Sequence, residues 1–267
     1  MDKFFFTIDV DYTHGTEDGL SRLLEFCERE SLPATLFFAG CFAEEYPKLV
    51  KEAEVLGHDI GAHGWEHDKD PEENFLSPGK EKQFELISRA TAAIESACGR
   101  RPEMFRAPDL AINETTLEVL EDLGYRLDSS VPSRRVGLGY LKTPSRFFAP
   151  PTSYHPDRKN ISVRGDCPLV EVPPSSWGMP VNMSAIRTFG FRTVRWFAKR
   201  AIRRSGYLNF YIHPVEVTNP RYLKFPLNGP KRYQEGLGPQ NLDLLQELVD
   251  WVRAEKLEPR TLSGEYL

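Results

Sequence analysis

Cysteine is scarce and unpatterned: Cys27, Cys41, Cys98 and Cys167 are scattered with no CxxC pair. That excludes a disulfide-stapled scaffold and points to reduced thiols in a cytoplasmic setting. No charge-free apolar run is long enough to cross a bilayer. The start, Met1-Asp2-Lys3 followed by FFFTIDVDY, lacks the roughly 7–15-residue apolar stretch and cleavage site of a secretory leader. The expectation is therefore a cytoplasmic protein, at most peripheral at the inner face of a membrane. No fixed period repeats and no long Gly/Ser linker occurs, so residues 1–267 are expected to form one domain. A large charge excess is missing too: 34 Lys+Arg face 39 Asp+Glu, for a net charge of −5. Such a chain has no global attraction to nucleic acid, and any anionic partner must be held by a local patch.

The sequence does contain 40% hydrophobic and 12% aromatic residues, enough for a large buried core. Phe4–Asp11, Ala34–Ala39, Asp59–Ala62, Met104–Arg106, Tyr125–Leu127, Leu169–Val172 and Tyr207–Ile212 read as strands. Helical spacing appears over Glu17–Glu30, Glu44–Leu56, Gly79–Cys98, Asn113–Leu123, Ser184–Arg204 and Gln240–Glu255. This alternation predicts an α/β fold of βαβ units around a parallel sheet, at the length typical of α/β barrels. The Pro-rich stretch Pro144–Pro156 reads as an irregular excursion or lid.

In a parallel barrel the reactive groups come from the C-terminal ends of the strands. Asp9 and Asp11 stand at such an end two residues apart, and the strand period of two lets both carboxylates face one side. Like charges so placed want a cation between them; capping of the following loop is the alternative. His63 and His67 are four positions apart in GHDIGAHGWEH. A helical turn over Gly64–His67 would present both imidazoles to one metal. Two nitrogens and a carboxylate are the ligand set of an open catalytic zinc site. His58, just before a buried strand, reads as a packing or turn histidine. Arg106 precedes Pro108 in FRAP, where its guanidinium can fork onto a carboxylate, and His213 ends an apolar strand in YIHP. Each alone has a structural alternative, a salt bridge or a satisfied core group.

TIDVD, HGWEH, FRAP and YIHP, in this order, resemble the first, second, third and fifth motifs of the polysaccharide deacetylase (NodB-homology) family of metal-dependent carbohydrate esterases. The resemblance implies a distorted, usually seven-stranded (β/α) barrel that removes acyl groups, most often acetyl, from sugars. It implies one divalent metal, zinc first, on Asp11, His63 and His67. It further implies that Asp9 is the general base, Arg106 its orienting partner and His213 the general acid. The family's first motif usually has adjacent aspartates; here Val10 separates them, as in its intracellular, peptidoglycan-deacetylase-like and deformylase-like branches, so base and ligand can be exchanged between Asp9 and Asp11. Asp128-Ser129-Ser130 is the nearest candidate for the fourth motif. Trp65 and Pro108, inside the motifs, are candidate substrate contacts.

Between Glu171 and Glu216 there is no acidic residue, while Arg187, Arg192, Arg195, Lys199, Arg200, Arg203 and Arg204 alternate with aromatic residues. Such a basic amphipathic segment suits an anionic membrane surface or a phosphate-linked carrier of an acylated amino sugar, with Arg195, Lys199 and Arg203 as contacts. The alternative is a helix whose arginines are only solvated. Competing functions are a C–N hydrolase acting on a non-sugar amide, deformylase- or allantoinase-like, and an inactive sugar-binding barrel.

Overall fold

The aromatic run near the N-terminus forms β1 (Lys3–Val10), whose residues from Phe4 onward are all buried. The computed structural model describes residues 1–11, 14–66, 75–135, 144–224 and 234–267. From β1 the chain passes through α1 (Thr16–Glu30), β2 (Ala34–Phe38), α2 (Gly40–Glu45), α3 (Pro47–Val55), β3 (Asp59–Ala62), α4 (Lys80–Cys98), β4 (Met104–Phe105), α5 (Glu114–Asp122) and β5 (Leu127–Asp128). A hairpin of β6 (Pro156–Asp157) and β7 (Asn160–Arg164) precedes β8 (Val170–Glu171). A second hairpin, β9 (Ser176–Trp177) with β10 (Met179–Pro180), leads to α6 (Met183–Phe189), α7 (Phe191–Ser205) and β11 (Tyr207–Ile212). Then come α8 (Asn241–Ala254), β12 (Glu258–Pro259) and α9 (Leu262–Tyr266).

Seven strands run parallel in the order β11, β1, β2, β3, β4, β5, β8, with short β12 beside β1. They curl into the distorted barrel expected from the sequence. Among the described residues no ladder joins β8 to β11; the seam is crossed by the Ser175 N–H donating to the Asn209 carbonyl at 2.9 Å. Alternation along the strands divides the core in two. Phe4, Phe6, Ile8 and Val10 pack outward with the helices, while Phe5 joins Phe37, Met104, Leu127, Val172, Tyr207 and Leu262 in a second cluster. Leu262 comes from α9, so the last helix helps to close the end of the barrel where the strands begin.

Two expected helices are broken. The segment 44–56 divides at Tyr46, because Pro47 prefers the first helical position and forces its predecessor out of helical geometry. The segment 184–204 divides at Gly190, whose φ of +78° is left-handed. The Pro-rich excursion is docked: after a 3-10 turn at Pro144–Phe148, the buried Arg146 guanidinium donates to the carbonyls of Leu110 and Ile112. Glycine is required at position 19, since a Cβ there would lie 2.1 Å from the Pro214 carbonyl oxygen. The close approach of α1 to the turn after β11 fixes the chain where it leaves His213.

Candidate active site

Asp9, at 3% exposure, points into the barrel from β1, and its Oδ1 accepts a 2.7 Å hydrogen bond from Arg106 Nη1. Arg106 is fully buried at the end of β4. Its Nη1 also donates to Thr7 Oγ1 at 2.7 Å, its Nε to the Ser129 carbonyl at 2.9 Å, and its Nη2 to Ser129 Oγ at 2.8 Å. The guanidinium lies 4.5 Å from the Phe37 ring centre. Ser129 Oγ in turn donates to the Val172 carbonyl and accepts from Asn209 Nδ2. A buried guanidinium with this many partners has one available position, and it sets that of Asp9.

Two imidazoles flank Asp11, just beyond β1. His63 Nε2 is 3.1 Å from Asp11 Oδ1 and His213 Nε2 is 3.9 Å from Asp11 Oδ2. His63 Nδ1 is 2.7 Å from the Arg106 main-chain carbonyl, which can only accept, so the proton resides on Nδ1. Nε2 of a neutral His63 then presents a lone pair to a carboxylate oxygen. Two acceptors facing one another require a proton or a cation between them. Metal-binding histidines commonly donate their other N–H to a carbonyl in this way, so Asp11 and His63 fit a divalent cation. His67, the third expected ligand, lies outside the described residues. Gly64 has φ +73° and residues 63–66 are not helical, so the helical turn expected to start at Gly64 is absent from its described part.

His213 is held from behind by Glu216, a residue that the sequence reading did not single out. Glu216 Oε2 accepts the His213 main-chain N–H at 3.0 Å and lies 3.4 Å from Nδ1. Its Oε1 accepts from Arg187 Nη1 at 3.0 Å and Ser184 Oγ at 2.8 Å. Burial opposes protonation of His213, but the hydrogen bond to Glu216 and the charges of Asp11, Glu216 and Asp9 outweigh it and raise its pKa to about 9. Burial raises Glu216 in turn, yet His213 and Arg187 bring it below the usual carboxylate value. The HPxE spacing was the available signal for Glu216; Thr7 and Asn209, which hold Arg106, left none.

Asp128-Ser129-Ser130 supports the arginine and does not reach His213. Ser129 takes two Arg106 donors, and Ser130 Oγ bonds both the Ala107 N–H and Asp128. Asp128 pairs in register with Glu171, and burial raises both acids, Glu171 further through the charge of Asp128. Pro108 is buried in a turn whose next residues, Asp109 and Leu110, have φ of +53° and +56°. Trp65 belongs to the main core, with the Arg89 guanidinium 3.5 Å over its ring. His58 is buried at the start of β3, at the other end of the barrel, and burial lowers its pKa, as suits a packing histidine. Arg195, Lys199 and Arg203 are not brought to the site: Lys199 pairs at 2.6 Å with Glu255, which caps the C-terminal end of α8. Arg203 is in the last turn of α7, a full strand length, roughly 20 Å, from His213.

The polysaccharide deacetylase family model matches residues 2–127, which carry three of the four motifs. A peptidoglycan deacetylase of Helicobacter pylori is 29% identical over 43% of this chain and 38% of its own length. A chitooligosaccharide deacetylase of Azorhizobium caulinodans is 34% identical over 38% of this chain and 47% of its own. The matches thus span less than half of these relatives. Among solved structures, a family 4 carbohydrate esterase from Streptomyces lividans superposes with a TM-score of 0.53 at 16% identity, covering 99% of this chain and 94% of that one. The fold is shared across the whole chain, and the family resemblance read from the motifs holds over the matched residues.

Proposed function

With residues 2–127 matching the polysaccharide deacetylase family, we propose that the chain hydrolyses the N-acyl group, foremost N-acetyl, of an amino sugar in a glycan or a carrier-linked saccharide. The observation that carries the reading is the convergence of Asp9, locked by Arg106, with Asp11 between His63 and His213. The named relatives act on peptidoglycan and chitooligosaccharide, which supports a sugar over a simple amide. We take residues 1–267 as one catalytic domain, supported by a core cluster drawing on residues from Phe4 to Leu257, and place it in the cytoplasm, supported by four cysteines that form no disulfide among the described residues.

Asp11 and His63, with His67, are the residues that would hold a divalent cation, zinc first. When bound, such a cation lowers the pKa of water and polarises an acyl carbonyl. Arg106 occupies one oxygen of Asp9 and leaves the other to take the proton of the attacking water. Attack gives a tetrahedral carbon, and the C–N bond then breaks toward nitrogen. His213, charged through Glu216, gives its Nε2 proton to the departing amine, without which an amide does not cleave. Asp9 and His213 end with their protonation states exchanged, and solvent restores both.

The test is release of acetate from chitooligosaccharides and peptidoglycan fragments by metal-loaded protein, with N-formyl and ureide compounds alongside. Acetate release that is abolished by chelation and restored by zinc or cobalt supports the reading. Turnover confined to formyl or ureide compounds, or none with a stoichiometrically loaded protein, overturns it.

A further inference from the structure

A cleft opens at the seam where the barrel is not closed, lined by Arg134, Pro173, Pro174, Ser175, Trp177 and Arg204. None of these residues takes part in the hydrolytic site. The Arg134 guanidinium lies 5.1 Å from the Trp177 ring centre and that of Arg204 4.7 Å from the same centre. One indole thus carries two cations, and no Asp or Glu occurs from residue 172 to residue 215 to compensate them. Among the described residues neither guanidinium is ion-paired. The attraction of a ring for a cation does not remove the repulsion between two of them; a shared anion does.

A third donor faces the same cleft. Ser175 is 5% exposed, and its Oγ accepts the Asn209 N–H at 2.9 Å. Among the described residues it gives its own proton to no protein acceptor. The backbone on one side is preset: Arg134 has a left-handed φ of +55°, and its carbonyl receives the Gly178 N–H at 2.7 Å from the β9–β10 turn. Two guanidinium forks, from the segment after β5 and from α7, and a hydroxyl at the seam line one cleft, a donor set suited to an anion with oxygens on several sides. A phosphate offers those; a planar carboxylate offers two in one plane.

We propose that this cleft binds the phosphate group of a phosphorylated ligand through Arg134, Arg204 and Ser175. The site shares Arg204 with the basic segment read from the sequence but uses none of its expected contacts Arg195, Lys199 and Arg203, of which Lys199 is engaged with Glu255. It also stands independently of the hydrolytic reading, because its assay is binding. Arg204 stands at the opposite end of β11 from His213. A bilayer headgroup and a soluble phosphorylated compound present the same chemistry.

Calorimetric titration at low salt with inorganic pyrophosphate, beside co-sedimentation with phosphatidylglycerol vesicles and phosphatidylcholine controls, tests the site. The expected result is saturable binding of at least one phosphate probe that falls with added salt. Arg204→Gln, an exposed helix position, should weaken it at least tenfold, the Arg134→Gln/Arg204→Gln pair further, and Lys199→Gln not at all, with melting curves confirming that each variant is folded. Pyrophosphate binding without vesicle binding assigns a soluble source, and the reverse assigns a membrane; both support the site. Failure of both probes to bind, or equal binding by wild type and Arg204→Gln, overturns it.

Discussion

The main-chain carbonyl of Arg106 lies 2.7 Å from Nδ1 of His63, while the guanidinium of the same arginine holds Asp9 at the same distance. One residue therefore orients both a candidate ligand and the candidate base, the first through backbone and the second through side chain. The two functions separate on substitution.

Arg106→Lys keeps the carbonyl and the charge but loses the fork that serves Thr7, Asp9 and Ser129. Metal content by elemental analysis should stay near wild type while turnover falls by about 100-fold or more, the scale of a misplaced catalytic group. Acceptors left unsatisfied should also cost roughly 1–3 kcal/mol in denaturant unfolding. Parallel loss of metal and turnover would mean that the arginine serves only the ligand side.

The two aspartates are distinguished by their neighbours, Arg106 for Asp9 and the imidazoles for Asp11. Asp9→Asn should retain zinc and lose most activity; Asp11→Asn should lose zinc. The opposite pattern in metal analysis would exchange their roles and leave the site in place.

The strand ends were legible because period-two alternation and apolar runs mark buried strands, and reactive groups at those ends stand out against them. Asp9, Asp11, His63, Arg106 and His213 were readable for that reason. What was not legible depends on pairs distant in sequence. Nothing local in Asn209 or Thr7 says that they meet an arginine about a hundred residues away. Trp65 sits inside a motif yet faces the core, because the turn at Gly64 decides its direction. Arg134 and Arg204 meet over Trp177 only through the curl of the sheet.

Asp128 and Glu171 carry a second expectation. Burial raises both, and each acid with a raised native pKa contributes stability that is full below its unfolded value, near 4, and lost as pH rises through the native value. The wild type should lose stability from about pH 4 upward on their account. Glu171→Gln can still accept the Val131 N–H and can donate to Asp128. Its melting temperature at pH 8 should equal or exceed wild type, with a flatter pH profile. A large loss at every pH would show that Glu171 acts through its hydrogen bonds to the Ser130 and Val131 N–H groups and not through its titration.

Glu216 gives the sharpest test of the acid limb. Through its hydrogen bond and charge it keeps His213 protonated up to about pH 9 against burial, so cleavage that needs a proton for the amine should persist to that pH and fall above it. Glu216→Gln retains an acceptor for the His213 main-chain N–H but removes the charge. The alkaline limb should move to lower pH by about one unit, equivalent to roughly 1.4 kcal/mol. Because Glu216 also receives Arg187 and Ser184, the variant will be less stable, and stability alone cannot assign its role. Hydrolysis of an activated ester does not need the leaving-group proton, so its rate should change little at pH 8 while amide hydrolysis drops at least several-fold. His213→Ala should show the same split more strongly. Equal losses on ester and amide, with an unshifted alkaline limb, would reduce Glu216 to a support for the turn after β11 and remove the proton-donor role from His213.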